Sequence, residues 1–403
     1  MSRRLLVAIG LLVLVLVAVS IAVLMRSAPT ADPQPTASPT STTPSTPKQN
    51  TMLVAVRNDD SQIADAVTLG STPQQNATPA GSWLSMQPGL AIAVNDRGSV
   101  SLAQRGPFSP TDVAKDTTNE LGFEVDGAFI LDRLAFAALV DSVGGVTVNS
   151  PVPIVVVDAD GKTTVLVKAG KRKLFGPAAA QYVLTLNPGE EQPARMARFD
   201  DVWTQVLLKL PGSVDKVRSI VGSLGSLLRT NLTPEEATEV LLDTQTSLVA
   251  KTMTAATPTA QVAGTGTTAI YTVIPAGTQP TVQKLFGLSV LVPGVDGAVP
   301  RIRVAAAGAT YEAIDEAQTA FTAANLSLVW GGQLATQAKS EIFIPNEAAR
   351  VTGEKVALTL GLPLTVVKVA PAETIGVQVS VRLAADSTFT TPSPSASSSV
   401  SAN

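Results

Sequence analysis

An uncharged run from Leu5 to Met25, "LLVAIGLLVLVLVAVSIAVLM", sets the first constraint on this chain. At about 1.5 Å per helical residue it is long enough to cross a hydrocarbon core of ~30 Å. Arg3 and Arg4 precede it and Arg26 follows, a modest positive-inside bias that puts the N-terminus in the cytoplasm. A cleaved signal peptide has an apolar core of roughly 7–15 residues, shorter than this one. The run therefore reads as a single-pass anchor spanning residues 1–26 with its cytoplasmic stub, and it puts the main domains outside the cytoplasm, at the cell membrane.

Residues 27–50, "SAPTADPQPTASPTSTTPSTPKQN", have little to bury and read as an extended linker. The tail 387–403, "STFTTPSPSASSSVSAN", has the same composition and reads as disordered. Between them, a chain of 403 residues that is 45% apolar has room for about two or three domains with real cores. A net charge of −3 with no basic block argues against a nucleic-acid partner. The chain has no cysteine and no histidine. Disulfides, thiolate zinc sites, Ser-His-Asp and Cys-His catalysis are all excluded, and any chemistry rests on carboxylates, arginine, lysine, hydroxyls or backbone.

The first folded stretch alternates strands and helices. "MLVAV" and "DAVTL" read as short strands, and "AIAVNDRGSVSLA" as a hairpin. "PTDVAKDTTNELG" and "DRLAFAALVDSVGG" read as helices ending at Gly122 and Gly144. "PIVVVDADGKTTVLV" predicts strands around an Asp160–Gly161 turn. From Pro193 onward, Phe199, Val202, Trp203, Val206 and Leu207 recur at helical spacing. "LTPEEATEVLLDTQTSLV" predicts a helix with Thr233 as N-cap, Pro234 in first position and Glu236 closing a capping box. "AIYTVIPAG" predicts the last strand of a Gly-, Thr- and Pro-rich segment. The fold class expected is an α/β (α+β) sandwich, a mixed sheet with flanking helices over residues 51–299. Residues 300–386 add a small β-α-β-β-α-β unit.

The densest charge cluster is "QYVLTLNPGEEQPARMARFDD", residues 181–201. Pro193 is placed to open the helix, so Arg195 falls near its first turn, where the helix dipole disfavours cations and favours anions. Arg195 and Arg198 could therefore serve a bound anion. They could equally pair with Glu190, Glu191, Asp200 and Asp201 as ordinary ion pairs. Gly144 and Gly145 read as turn residues, and Leu134, Phe136, Leu139 and Val140 as core.

The order of motifs resembles the LytR-CpsA-Psr family of bacterial cell-envelope proteins over almost the whole chain. "GFEVDGAFILDRLAFAALVDSVGGVTV" is similar to that family's helix, Val-Asp, Gly-Gly-Val and strand segment. "KAGKRKLFGPAAAQYV" resembles its "aG…L.G..AL.YvR" element, and "ARMARFDDVWTQVLLKL" its Gly-Arg-x-x-Arg-Gln helix. Residues 300–386 resemble the LytR-type C-terminal domain of actinobacterial members. The resemblance implies transfer of glycopolymers from a polyprenyl pyrophosphate carrier to peptidoglycan, assisted by Mg2+. Arginines would hold the pyrophosphate, aspartates the metal, and an apolar cavity, walled by the Leu134 to Val140 face, the prenyl chain.

This chain departs from that pattern at its charged positions. The family's Ser-Ile-Pro-Arg-Asp stands here as "SMQPG", Ser85 to Gly89, without arginine or aspartate. Leu184 and Leu186 occupy the arginine positions of a "YVR.R" motif read as a strand, Gln192 an aspartate position, and Arg57 a metal-type aspartate position. Arg195 and Arg198 survive as ligand-binding and, if activity remains, catalytic candidates, and Asp65 as the metal candidate. Arg57, Arg97 and Arg105 are possible replacements. The resemblance thus implies an anchored envelope-biogenesis protein with a degenerate catalytic set, binding a polyprenyl-linked or glycan ligand or supporting active paralogues. Two other roles stay open. One is an active Mg2+-assisted phosphotransferase attaching glycopolymers to peptidoglycan. The other is an envelope scaffold that works through residues 300–386 and ignores lipid.

Overall fold

The computed structural model describes residues 49–57, 64–73, 81–94, 98–105, 109–291, 299–371 and 373–387. The predicted anchor Leu5–Met25 lies outside them, as do Arg97 and the tail beyond residue 387. Among the described residues no helix is long and apolar enough to cross a membrane.

The strand Gln49–Arg57 is the centre of the architecture, and its sequence shows why. Met52, Val54 and Val56 point into one hydrophobic cluster, while Leu53 and Ala55 point into another. A strand covered on both faces reads as a continuous apolar run rather than an alternating one. Gln49 and Asn50, expected in the linker, already belong to it. Its sheet has six strands in the order 228–230, 127–132, 49–57, 64–73, 82–86, 254–256. The central strand runs antiparallel to Ala64–Pro73 and parallel to Gly127–Asp132, so the sheet is mixed. Helices 133–142, 176–184, 192–209, 214–223 and 234–249 contribute to the first cluster. Helices 110–121 and 275–286 contribute to the second, where Phe123 and Phe286 stack with centroids 4.1 Å apart.

Local signals account for most element ends. Thr233 and Glu236 form the reciprocal capping box that the spacing predicts. Gly122, with φ of 71°, ends helix Pro110–Leu121 in the left-handed region. A Cβ there would also come within 2.5 Å of the Ile375 backbone. The helix Pro275–Phe286 is a difference from expectation: the Gly/Pro-rich sequence hid it, and Pro280 lies inside it. The short strands Leu228–Thr230 and Val367–Val369 likewise carry too few residues to show a period.

The strand Arg301–Ala306 opens a second sheet of five strands, ordered 327–333, 301–306, 379–383, 341–344, 367–369. Helices 311–323 and 350–359 cover it, around Ile302, Val304, Phe321 and Val381. The described residues of both sheets nevertheless belong to one compact unit. Ile375 is buried in the second cluster of the first sheet, and Arg301 donates to Asn119 at 2.9 Å.

Glu120 lies on the same helix as Asn119. Burial pushes its carboxyl up to about 7, against the pull of the Arg303 guanidinium. A carboxyl raised in the folded state holds its proton there while the unfolded chain has lost it. Its contribution is therefore complete below the ordinary pKa of 4.5 and is lost as pH rises through about 7. Thermal melts across that interval should show Glu120→Gln losing less stability with rising pH than the parent protein. Parallel curves for the two would refute this.

Candidate functional site

Helix Gln192–Lys209 carries both surviving arginines. Met196, Phe199, Val202, Trp203 and Val206 form its buried stripe. Arg195 and Arg198 reach instead to the C-terminal end of the preceding helix, Gly176–Leu184. The last carbonyls of a helix have no partner within it. Here Arg195 Nη1 donates to the Leu184 carbonyl at 3.2 Å. Arg198 Nε donates to the Tyr182 carbonyl at 2.9 Å and Nη2 to that of Thr185 at 2.6 Å. Cations near the start of one helix are thus favoured by the negative end of its neighbour. Arg198 also pairs with Glu190 and lies over the Tyr182 ring, 5.4 Å from its centroid. This corrects the reading of "YVLTL" as a strand: Tyr182 to Leu184 are the last turn of a helix.

Arg195, only 3% exposed, lines a cleft of about 730 Å³. Arg133, the first residue of helix Arg133–Ser142, lines the same cleft. Sequence reasoning missed Arg133, although the argument applied to Arg195 was available for it: an arginine in a first turn that has no acidic residue. Pro88, Gly89, Leu184, Leu186 and Gln192 complete much of the wall. These are five positions at which the resemblance expects charge, gathered in one place. Val156 and Leu166 of the 154–167 hairpin add apolar surface, with Ala180, Ala269 and Ile270. Among the described residues no carboxylate lines the cleft.

Gln192 acts as a clamp. Its Oε1 accepts from the Gly89 N–H at 3.0 Å and its Nε2 donates to the Gly266 carbonyl at 3.1 Å. Glu191 accepts from the Gly266 N–H at 3.0 Å, and the Tyr271 N–H donates to the Gly89 carbonyl at 2.9 Å. The turn bearing Gly89 is thereby pressed against residues 266–271. A Cβ at Gly89 would stand 2.1 Å from the Ala269 carbonyl oxygen. No side chain fits there, whatever its charge.

The remaining candidates are dispersed. Asp65 sits in strand Ala64–Pro73 at the bulge facing Val56 and Arg57, and its side chain lies outside the described residues. Arg57 is buried and paired to Asp132 at 2.9 Å; Arg105 is paired to Asp116 at 2.6 Å. Gly144 and Gly145, with φ of 78° and 79°, form a turn. Phe136, Leu139 and Val140 are packed in the first core, while Leu134 is 56% exposed and does not belong to it. A turn of helix has room for only part of an apolar quartet on its buried face. Among the described residues no group of three or more acidic side chains could hold a metal ion. The cleft as described lacks the carboxylates that Mg2+ takes beside a phosphate.

A mixed sheet flanked by helices, with an arginine-bearing cleft at the helix ends, makes this an α/β domain. Residues 110–285 match the model of the LytR_cpsA_psr family. Similar solved structures include TagV of B. subtilis, at 15% identity over 61% of this chain and 99% of that one, TM-score 0.49. The LytR-Csp2A-Psr enzyme from Actinomyces oris is 16% identical over 60% of this chain and 91% of its own, TM-score 0.46. TagT bound to LI-WTA is 19% identical over 60% and 91%, TM-score 0.45. No curated protein matches the chain.

Two substitutions test this construction. Arg198→Ala removes one member of a pair that is little exposed on either side and should lower stability by roughly 3 kcal/mol, measured by urea unfolding. A loss near zero would mean the pair is decorative. Gly89→Ala should cost about 1–3 kcal/mol because the backbone must open to admit the methyl group. Unchanged stability would show that the turn is not held as described.

Proposed function

We propose that this chain is an anchored, extracytoplasmic envelope-biogenesis protein whose cleft binds an anionic prenyl-linked or glycan ligand without turning it over. The observation that carries the proposal is the convergence of Pro88, Gly89, Leu184, Leu186 and Gln192 on one cleft. Phosphoryl transfer depends mainly on positioned charge, and removing a single such donor typically costs ~100-fold or more in rate. Losing several at once, with a glycine that no side chain can replace, leaves binding rather than chemistry. Arg133 and Arg195 suit a phosphate, since guanidinium groups donate to its oxygens in pairs. The apolar walls suit a hydrocarbon chain. The match of residues 110–285 to the LytR_cpsA_psr family model supports a role connected with cell-wall glycopolymers, and the apolar run Leu5–Met25 supports attachment to the membrane.

The full chain in detergent micelles should bind farnesyl pyrophosphate and release no phosphate above a protein-free blank, with or without magnesium. Arg133→Ala and Arg195→Ala should each weaken binding by about tenfold or more. Phosphate release would overturn the non-catalytic part and return the transferase reading. No binding by the parent protein would overturn the ligand and favour a scaffold.

A further inference from the structure

Residues 146–174 make two antiparallel pairs in succession, Val146–Ser150 with Gly170–Leu174 and then Ile154–Val157 with Thr163–Val167. Neither pair joins the six-stranded sheet. The core holds the ribbon at its base, where Val146, Val148, Ile154, Val167 and Leu174 are buried. Asn187 secures the start of the outer pair, accepting from the Val155 N–H at 2.9 Å and donating to the Pro153 carbonyl at 3.1 Å. Beyond those points the apolar side chains lose their cover. Val152, Val157, Val165 and Phe175 are half-exposed. Val165 lies opposite Val155, so Val157 and Val165 are diagonal neighbours on one face of the hairpin. Val156, on the other face, lines the cleft.

The same ribbon carries a strip of unspent cations. Lys162, Lys168, Lys171, Arg172 and Lys173 are all exposed. Lys171 and Lys173 stand opposite Asn149 and Thr147 on the solvent side of the inner pair. Lys173 lies over the Phe175 ring, 5.0 Å from its centroid. The acids of residues 146–175 are Asp158 and Asp160 alone. Asp158 is occupied by its own turn, accepting from the Asp160 and Lys162 N–H groups at 3.1 and 2.8 Å. Among the described residues none of the five cations is paired with an acid. Scattered exposed apolar residues are ordinary, but here they sit among free cations in a chain whose net charge is −3.

We propose that this ribbon is a peripheral docking surface for a bilayer bearing anionic phospholipid. Valine and phenylalanine side chains enter the boundary between headgroups and acyl chains, while lysine stems reach back to the phosphates. A soluble polyanion would match the cations and leave the valines in water. An apolar protein face would cover the valines and strand the cations. The proposal rests on reading Leu5–Met25 as an anchor, which fixes attachment but not which face meets the lipid. Residues 27–48 can span at most about 80 Å, so the tether keeps the ribbon at a high effective concentration near the bilayer. An attraction of about fivefold per cation is then enough. Because Val156 serves the cleft from the same hairpin, docking seats the rim of the cleft at the lipid surface.

The chain has no cysteine, so Val157→Cys accepts a fluorophore at one place only. The labelled full chain is put into nanodiscs of phosphatidylcholine alone or mixed with phosphatidylglycerol, with and without a nitroxide-bearing lipid. Nitroxide quenching is expected in the anionic discs, weak in the neutral ones, and reduced at 1 M salt, where the Debye length is about 3 Å. Lys168→Gln, Lys171→Gln and Lys173→Gln together should lower the docked-to-free ratio by about fivefold per charge, with little change in melting temperature. Absent quenching, equal quenching in both kinds of disc, or equal quenching of parent and triple variant would overturn the proposal. Co-elution with neutral discs reports separately on the anchor. A chain that elutes with anionic discs alone, quenched at residue 157, would sink the anchor and support the ribbon.

Discussion

The carbonyls at the end of helix Gly176–Leu184 determine how this site is built. Three of them, on Tyr182, Leu184 and Thr185, are satisfied by the guanidinium groups of Arg195 and Arg198. Without those donors the helix would end in unpaired acceptors beside a core, a cost comparable to a lost hydrogen bond for each. The same contacts fix the start of helix Gln192–Lys209, because Arg198 also holds Glu190 in the intervening loop. Two helices, one loop and one wall of the cleft therefore depend on two residues. These contacts give both arginines a structural role apart from any bound anion.

The cleft itself has a simple electrostatic character. Its described lining carries guanidinium groups and apolar side chains but no carboxylate. Such a surface attracts anions over distances of about a Debye length and offers hydrocarbon a dry wall. Among the described residues no acidic side chain joins that lining. The turn at Gly89 lies tightly against the Ala269 backbone. Reinstating an aspartate by substitution would meet a backbone oxygen before it met a ligand.

Much of the fold was legible because the physics was local. The apolar run at Met52 to Val56 signalled a short strand, which the structure buries on both sides, and the Thr233–Glu236 box fixed a helix start to the residue. The missed helix Pro275–Phe286 has a glycine, two prolines and three threonines or glutamines in its early turns, so its propensity was overridden by packing of Val282, Leu285 and Phe286. At the site, the pattern around Arg195 was readable from one helix start. Its partners were not, because a carbonyl acceptor has no sequence signature. Arg133 stands at a helix start as Arg195 does, but its place in the cleft comes only from residues distant in the chain that fold beside it.

Helix Gln192–Lys209 consequently borders two separate spaces. Arg195 lines the larger cleft, whereas Asp200, little more than one turn further on, lines a smaller cavity with Ser85 and Tyr271. Gly89 and Gln192 form the partition, held by the hydrogen bond between them and by the Tyr271 contact from the other side. Because one helix serves both spaces, the hydrogen bond from the Gly89 N–H to Gln192 fixes a boundary of each at once.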